Sequence, residues 1–290
     1  MRRKARPEGR AFFVPALVLL LGLAGCESVT GVFGDRADRA ARIAEDAGMQ
    51  RFFIETGQFE LAGYRRFRDR SAREVSVYIE GDGLAFLNTT TISRDPTPRD
   101  PVSLRLAAVD PSANVAYLAR PCQYQTANRL SRCSYSYWTN ARFAPEVVRE
   151  MDIAVTAIAK AAGAERVRLY GYSGGGVIAA LLAARRDDVV FLATAAAPLD
   201  HGEWTRLGRY SPLDRSLDAI DHVDEIKRVP QIHFIGADDE LVPAAVIRRF
   251  AERVHAAGGD VEIVNVPGTD HWCCWEDVWP ALYRDWLRGS

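Results

Sequence analysis

The chain of 290 residues is 48% hydrophobic, and its 37 lysine and arginine residues nearly balance 38 aspartate and glutamate residues, giving a formal net charge of −1 at pH 7. This balance predicts no nucleic-acid partner, because binding to phosphates needs a concentrated basic surface. The hydrophobic share can fill the core of one α/β domain, for which the roughly 240 residues after position 50 are a suitable length.

The first 26 residues have the features of an export signal. Five basic residues lie within the first ten positions, and residues 11–23 form an apolar stretch that is short for a bilayer span. This stretch ends at Leu23-Ala24-Gly25-Cys26, which resembles the bacterial lipobox, where a peptidase cleaves immediately before a lipidated cysteine. The resemblance implies a signal peptide over residues 1–25 and acyl chains on Cys26. An ordinary secreted protein with a spare cysteine is the alternative.

Lipidation at Cys26 would anchor the chain to a membrane. Diacylglycerol and an acylated amino terminus supply three chains, whereas a single chain gives only marginal binding. Glu27 replaces the aspartate associated with inner-membrane retention, so the resemblance implies an outer-membrane lipoprotein facing the periplasm. Cleavage would remove five basic residues and one acidic residue, which moves the net charge to −5. Residues 26–50 are expected to form a lipidated tether and a short helix.

Residues 51–290 are predicted to form one domain in which strands alternate with helices. Gly57-Gln58 separates two strand-like runs and predicts an opening hairpin. Pro145 favours the start of a helix, and Gly163 favours its end. Predicted strands cover 52–56, 59–64, 74–80, 115–118, 167–170, 189–193, 232–235 and 261–266, and predicted helices cover 104–109, 145–162, 176–184, 244–256 and 277–287. This alternation indicates a mostly parallel central sheet with helices on both faces.

The most informative motif is Gly171-Tyr172-Ser173-Gly174-Gly175, a G-x-S-x-G sequence between a predicted strand and a predicted helix. A strand, a sharp serine turn flanked by glycines and a helix make up a nucleophile elbow, in which the serine Oγ is exposed at the edge of the sheet. The flanking glycines are needed because a side chain would collide as the chain reverses. Ser173 is therefore the candidate nucleophile, and a glycine-rich helix entry without catalysis is the alternative.

Two later segments complete a close resemblance to the α/β-hydrolase superfamily, which extends from about Phe52 to Leu287. In that superfamily an acid and then a histidine follow the serine. The segment from Gly236 to Pro243 is similar to the family's strand-end pattern in a register that selects Asp239 over Asp238; capping of the next helix is the alternative role for either. His271, on the loop after the last predicted strand, is similar to the family histidine. The other four histidines are not on such a loop and are expected to be structural or exposed: His201, His222, His233 and His255.

The resemblance implies a role for each residue. His271 would take the Ser173 proton, and Asp239 would orient the imidazole. The amide of Gly174 would be one oxyanion donor, and the loop Glu80-Gly81-Asp82-Gly83 would supply the second, with Asp82 preferred over Gly83. Many relatives have histidine-glycine where this chain has glutamate-glycine. The role of the Asp82 carboxylate is left open, since a negative charge directed at an oxyanion would hinder catalysis.

The cysteines are consistent with an oxidising compartment. Besides Cys26 there are four, and a Cys122–Cys133 disulfide closing a polar loop is favoured, although crossed pairings remain possible. Cys273 and Cys274 would then form a vicinal disulfide or stay as thiols. A metal site using them with Asp270 and His271 is disfavoured because adjacent cysteines lack the spacing of a zinc site. No cofactor is predicted.

The expected cap is short. Only residues 198–230 are available between the strand that follows the elbow helix and the strand that carries the acid, which suggests a small helical cap over an accessible pocket. Nearby aromatic residues could line an acyl or aryl pocket or serve only in packing: Tyr124, Tyr135, Tyr137, Trp138 and Phe143.

The sequence thus favours a lipid-anchored periplasmic serine hydrolase, a carboxylesterase that acts on a small-molecule acyl ester through a Ser-His-Asp triad and an acyl-enzyme. An acyltransferase or peptidase with the same triad is the first alternative. A non-catalytic envelope binding protein is the second, and it gives no physical reason to keep all three triad positions. Oligomeric state and substrate identity have no sequence signal.

Overall fold

The computed structural model describes residues 30–288. The predicted signal peptide, residues 1–25, and the predicted lipidation site Cys26 lie outside the described residues, so both stay predictions. The first described element is helix α1 (Thr30–Asp46), in the region predicted as a tether and short helix. Within residues 30–288 no helix has both the length and the hydropathy that a membrane crossing requires.

An eight-stranded mixed sheet forms the centre of the domain, with spatial order β1-β2-β4-β3-β5-β6-β7-β8. Strands β1 and β2 form the predicted antiparallel hairpin, β2 pairs antiparallel with β4, and all later neighbours pair in parallel. The prediction of a mostly parallel sheet is confirmed. The strands are β1 (Gln50–Glu55), β2 (Glu60–Phe67), β3 (Glu74–Ile79), β4 (Asn114–Leu118), β5 (Arg166–Tyr172), β6 (Val189–Ala195), β7 (Gln231–Gly236) and β8 (Val261–Val266).

Helices cover both faces of the sheet, because apolar side chains point to both sides of its central strands. One buried layer is formed against α4, α5, α7 and α8, and the other against α1, α2 and α9. In β3, Val77 faces the first layer and Tyr78 the second, as the alternation of a strand requires. The helices after α1 are α2 (Val102–Val109), α3 (Ala127–Leu130), α4 (Pro145–Ala162), α5 (Gly174–Ala183), α6 (His201–Gly208), α7 (Val223–Ile226), α8 (Ala244–Ala256) and α9 (Trp275–Leu282).

The last helix differs from its prediction. The sequence pattern placed it over 277–287, whereas α9 begins at Trp275 and continues beyond Leu282 as a π-helical turn, Tyr283–Leu287. Two facts account for the earlier start: Cys274 has a left-handed backbone with φ of 79°, which ends the preceding loop, and the Trp275 side chain is fully buried. An amphipathic pattern indicates which residues share one face of a helix, but it does not indicate where the preceding loop ends.

Candidate active site

The chain reverses direction at Ser173, between the end of β5 and the start of α5. Ser173 has φ of 51° and ψ of −128°, a conformation that non-glycine residues rarely adopt. Two glycines allow the turn to pack closely: a Cβ at Gly171 would lie 2.4 Å from the Gly175 carbonyl oxygen, and one at Gly175 would lie 2.2 Å from that of Ile79. The G-x-S-x-G sequence therefore forms the strand–turn–helix geometry that was predicted from it.

The structure brings Ser173, His271 and Asp239 into one hydrogen-bonded row. The Ser173 Oγ is 3.1 Å from His271 Nε2, and His271 Nδ1 is 2.9 Å from Asp239 Oδ2. The other carboxylate oxygen, Oδ1, accepts the amides of Leu241 and Val242 at 2.9 and 2.8 Å. Since a carboxylate accepts only, His271 carries its proton on Nδ1 and presents Nε2 as the acceptor for the serine hydroxyl.

The acid in this row is Asp239 and not its neighbour Asp238. The side chain of Asp239 is 1% exposed and fully occupied by hydrogen bonds, whereas Asp238 lies on the surface. Only the buried Asp239 can hold the His271 imidazole in a site that excludes water. The geometry agrees with the register that the sequence pattern favours.

The His271 loop is fixed from two sides. The Tyr172 hydroxyl donates a hydrogen bond to the His271 carbonyl oxygen, and the buried Trp275 donates from Nε1 to the Asp270 carbonyl oxygen at 3.0 Å. The Asp270 carboxylate accepts the amides of Trp272 and Cys273, both at 2.6 Å. Sequence reasoning missed Tyr172, which occupies the variable position of the serine motif and has no pattern of its own.

The predicted oxyanion donors lie beside the nucleophile. A Cβ at Gly81 would lie 3.3 Å from the Ser173 Cβ, so the loop after β3 passes directly over the elbow. Within residues 30–288 the amides of Asp82 and Gly174 have no hydrogen-bond acceptor, as donors reserved for a substrate oxygen would require. The choice of Asp82 over Gly83 stays a prediction.

The carboxylate of Asp82 does not face the site as a free charge. Its Oδ1 lies 3.3 Å from Arg120 Nη1, and its Oδ2 lies 2.5 Å from Arg142 Nη1. The two arginines come from the segment between β4 and α4, 38 and 60 residues further along the chain. No local sequence signal could pair them with Asp82, because the contact depends on how the loops pack.

Glu80 directly follows β3 and is completely buried beneath the same loop. Burial raises the pKa of this carboxyl group to about 7, although the Gly81 amide, which donates to Oε1 at 2.9 Å, favours the charged form. Glu80 therefore retains its proton up to neutral pH in the folded protein.

Both cysteine pairs are disulfides in the structure. Cys122 is joined to Cys133, with 6.0 Å between the Cα atoms, and Cys273 is joined to Cys274 directly after the His271 loop. The crossed pairings that the sequence left open do not occur. Among the residues that the structure describes, no cluster of three metal-ligating side chains is present.

The segment predicted as a short cap contacts the loop that carries Asp239. Residues 198–230 contain α6, a 3-10 turn at Ala219–His222 and α7, and Trp204 donates from Nε1 to the Leu241 carbonyl oxygen at 2.7 Å. That contact joins the cap to the loop carrying Asp239. Of the aromatic cluster, Tyr124, Trp138 and Phe143 are buried and Tyr135 is exposed, while Tyr137 and Trp138 border a narrow crevice together with Asp82 and Arg120. A role in lining an acyl or aryl pocket stays a prediction.

Comparison with known protein families shows the family to which the chain belongs. The model of the dienelactone hydrolase family matches residues 123–274, more than half of the chain, and the matched segment contains Ser173, Asp239 and His271. The chain belongs to the dienelactone hydrolase family. A comparison with curated protein sequences finds no match.

Solved structures share the fold of this dienelactone hydrolase family member at low sequence identity. Est1E from Butyrivibrio proteoclasticus has a TM-score of 0.56 and 16% identity over 82% of this chain and 98% of that chain. The Pyrococcus furiosus esterase Pf2001 has a TM-score of 0.55 and 14% identity, covering 82% and 91%. Pyrococcus horikoshii acylaminoacyl peptidase has a TM-score of 0.59 and 13% identity over 77% of this chain. The match covers only 37% of that peptidase. These likenesses confirm the predicted α/β-hydrolase fold.

The raised pKa of Glu80 predicts a pH-dependent stability. In the unfolded chain Glu80 ionises near pH 4.5, but in the fold it stays neutral to about pH 7, so its contribution is fully present below pH 4.5 and is lost as the pH rises through 7. Between pH 4.5 and pH 8 the free energy of unfolding of wild type should therefore fall, relative to that of Glu80→Gln, by up to about 3 kcal/mol.

Urea unfolding of wild type and Glu80→Gln at both pH values measures this effect, with Glu252→Gln, an exposed carboxylate on α8, as the matched control. The control should follow the wild-type pH dependence. If Glu80→Gln also follows it, the assignment of a neutral buried carboxyl group is wrong.

Proposed function

We propose that this hydrolase is a carboxylesterase that uses Ser173 as a nucleophile and passes through an acyl-enzyme. The observation that carries the proposal is the continuous hydrogen-bonded row from the Ser173 Oγ through His271 to Asp239. A serine hydroxyl is a weak nucleophile near neutral pH and needs an adjacent base aligned with its proton. Nothing in the packing of a purely structural domain requires that alignment.

The acylation step follows from the positions of the three groups. Ser173 Oγ attacks the ester carbonyl carbon while His271 Nε2 accepts the hydroxyl proton, and the carbonyl π electrons move to oxygen. When the tetrahedral intermediate collapses, the C–O bond to the alcohol breaks and His271 returns the proton to the departing oxygen. Water, activated by the same nitrogen, then attacks the acyl-enzyme, and the acid product leaves as Ser173 regains its proton.

Asp239 serves this cycle without changing its protonation state. Its Oδ2 fixes the Nδ1–H tautomer and offsets the positive charge that His271 acquires in each step. The amides of Leu241 and Val242 donate hydrogen bonds to Oδ1 and hold the carboxylate in place, so the imidazole is oriented before substrate binds. The amides of Gly174 and Asp82 would stabilise the oxyanion.

An ester substrate is favoured over a peptide because this chain matches the full length of the esterases better than that of the peptidase. It covers nearly all of Est1E and of the Pyrococcus furiosus esterase, whereas it covers little more than a third of the acylaminoacyl peptidase. The small cap is consistent with an accessible pocket for a small acyl ester. Acyl transfer or peptide hydrolysis by the same triad is tested by adding acyl acceptors and short peptides to the same assay.

The two adjacent aspartates provide a matched test of the triad. Asp239→Asn should lower kcat on a chromogenic ester by up to about 10⁴-fold, because the amide would stabilise the wrong histidine tautomer. Asp238→Asn, which changes an exposed side chain next to it, should alter kcat by less than about threefold. Circular dichroism confirms that both variants are folded. The reverse ranking of the two kcat values would remove Asp239 from the triad.

We also propose that the enzyme is anchored through acylated Cys26 to the outer membrane and faces the periplasm. The proposal rests on the Leu23-Ala24-Gly25-Cys26 sequence and on Glu27. Two disulfides in the described domain suit an oxidising compartment.

Cys26→Ser should prevent lipidation, and the protein should then accumulate as an unprocessed precursor that retains residues 1–25. Ser28→Ala, two residues away, is the control and should behave as wild type. Mass spectrometry of the wild-type amino terminus decides the matter, since a mature protein without acyl chains would exclude the anchor.

A further inference from the structure

A buried cluster of three charges lies directly beside the elbow. The Asp82 side chain is 15% exposed, and its two oxygens are paired with Arg120 and Arg142, whose side chains are 4% and 9% exposed. A Cβ at Gly174 would lie 2.2 Å from Asp82 Oδ1. The carboxylate is therefore packed against the first residue of α5, next to the amides that would receive the oxyanion.

The position of this carboxylate is unfavourable for the proposed reaction unless it is neutralised. An oxyanion forming on the substrate beside Gly174 would be repelled by the negative charge of Asp82, and the low polarity of the surroundings strengthens this repulsion. Asp82 is also the predicted second amide donor, and if its amide takes that role its side chain cannot be moved far from the site. The charge must be compensated where it lies.

The two arginines meet that requirement with one positive charge in excess. Burial lowers the pKa of Arg120 to about 10, while Asp82 opposes the shift, so the guanidinium stays charged at neutral pH. The guanidinium also donates a hydrogen bond to the Arg142 carbonyl oxygen, and its Cζ atom lies 5.3 Å from the Phe143 ring centroid. Arg142 in turn donates from Nε to the Thr139 carbonyl oxygen at 2.7 Å.

We propose that Arg120 and Arg142 are positioning residues for the oxyanion hole, which hold Asp82 in place and cancel its charge so that the Asp82 amide can act as a donor. This proposal rests on the proposed function. It explains why an aspartate can occupy a loop position where a negative charge would otherwise hinder the reaction. It also gives the Cys122–Cys133 disulfide a role, because that bond braces the segment immediately after Arg120.

The test is a double-mutant cycle with Arg142→Gln, Asp82→Asn and the double variant, measured as kcat and KM on a neutral ester. In the wild-type background Arg142→Gln should lower kcat about 10- to 100-fold with KM changed less than threefold, since Asp82 Oδ2 then loses its close ion pair and the negative charge on that oxygen acts on the transition state. In the Asp82→Asn background, where no charge remains to cancel, the same substitution should cost less than about threefold. Arg73→Gln, in an ion pair with Glu165 in which both side chains are exposed, is the control and should leave kcat unchanged.

A merely structural cluster predicts a different result. Arg142→Gln would then lower the melting temperature and reduce kcat by the same factor in both backgrounds, and such additivity would overturn the proposal. Arg142→Lys keeps the charge and serves if the glutamine variant does not fold; it should retain kcat within about fivefold, and a loss as large as that expected for glutamine would also overturn it. An inactive wild type would refute the proposed function itself, whereas an active wild type with an additive cycle would refute only this inference.

Discussion

The geometry of the site depends on the strained backbone of Ser173. A non-glycine residue at φ of 51° persists only when its surroundings leave no alternative, and here they are rigid on both sides. The Ser173 amide donates to the Ala195 carbonyl oxygen at 2.9 Å, and the Gly176 amide donates to the Ser173 carbonyl oxygen at 2.9 Å. Strand β6 and helix α5 thus hold the turn, and the same turn fixes the positions of the serine hydroxyl and the Gly174 amide.

The sequence is sufficient for features that depend on local chemistry. Hydrophobic periodicity and glycine or proline at the boundaries predict the strands and α4 because each is a property of a short segment. Asp239 and His271 were selected through the resemblance to the α/β-hydrolase superfamily. Together with Ser173 they lie on short turns at the carboxyl ends of strands, and parallel strands bring these ends to one edge of the sheet.

Features that depend on packing between distant segments were not predictable. The Tyr172 hydroxyl, which holds the His271 carbonyl oxygen, meets a loop 99 residues away. Arg120 and Arg142 are two of many arginines in the sequence, and only the folded loops single them out by enclosing them against Asp82. The sequence therefore raised the problem of the Asp82 charge, while its compensation became visible only in three dimensions.

The central claim is that Ser173 is an activated nucleophile, and labelling with a fluorophosphonate tests it most directly. Intact-mass and peptide analysis of the folded wild type should show a single adduct on Ser173, and none in folded Ser173→Ala. The label should also fail to form after prior inactivation with a second, unlabelled fluorophosphonate. A folded wild type that carries no adduct, or an adduct at another residue that persists in Ser173→Ala, would contradict the account.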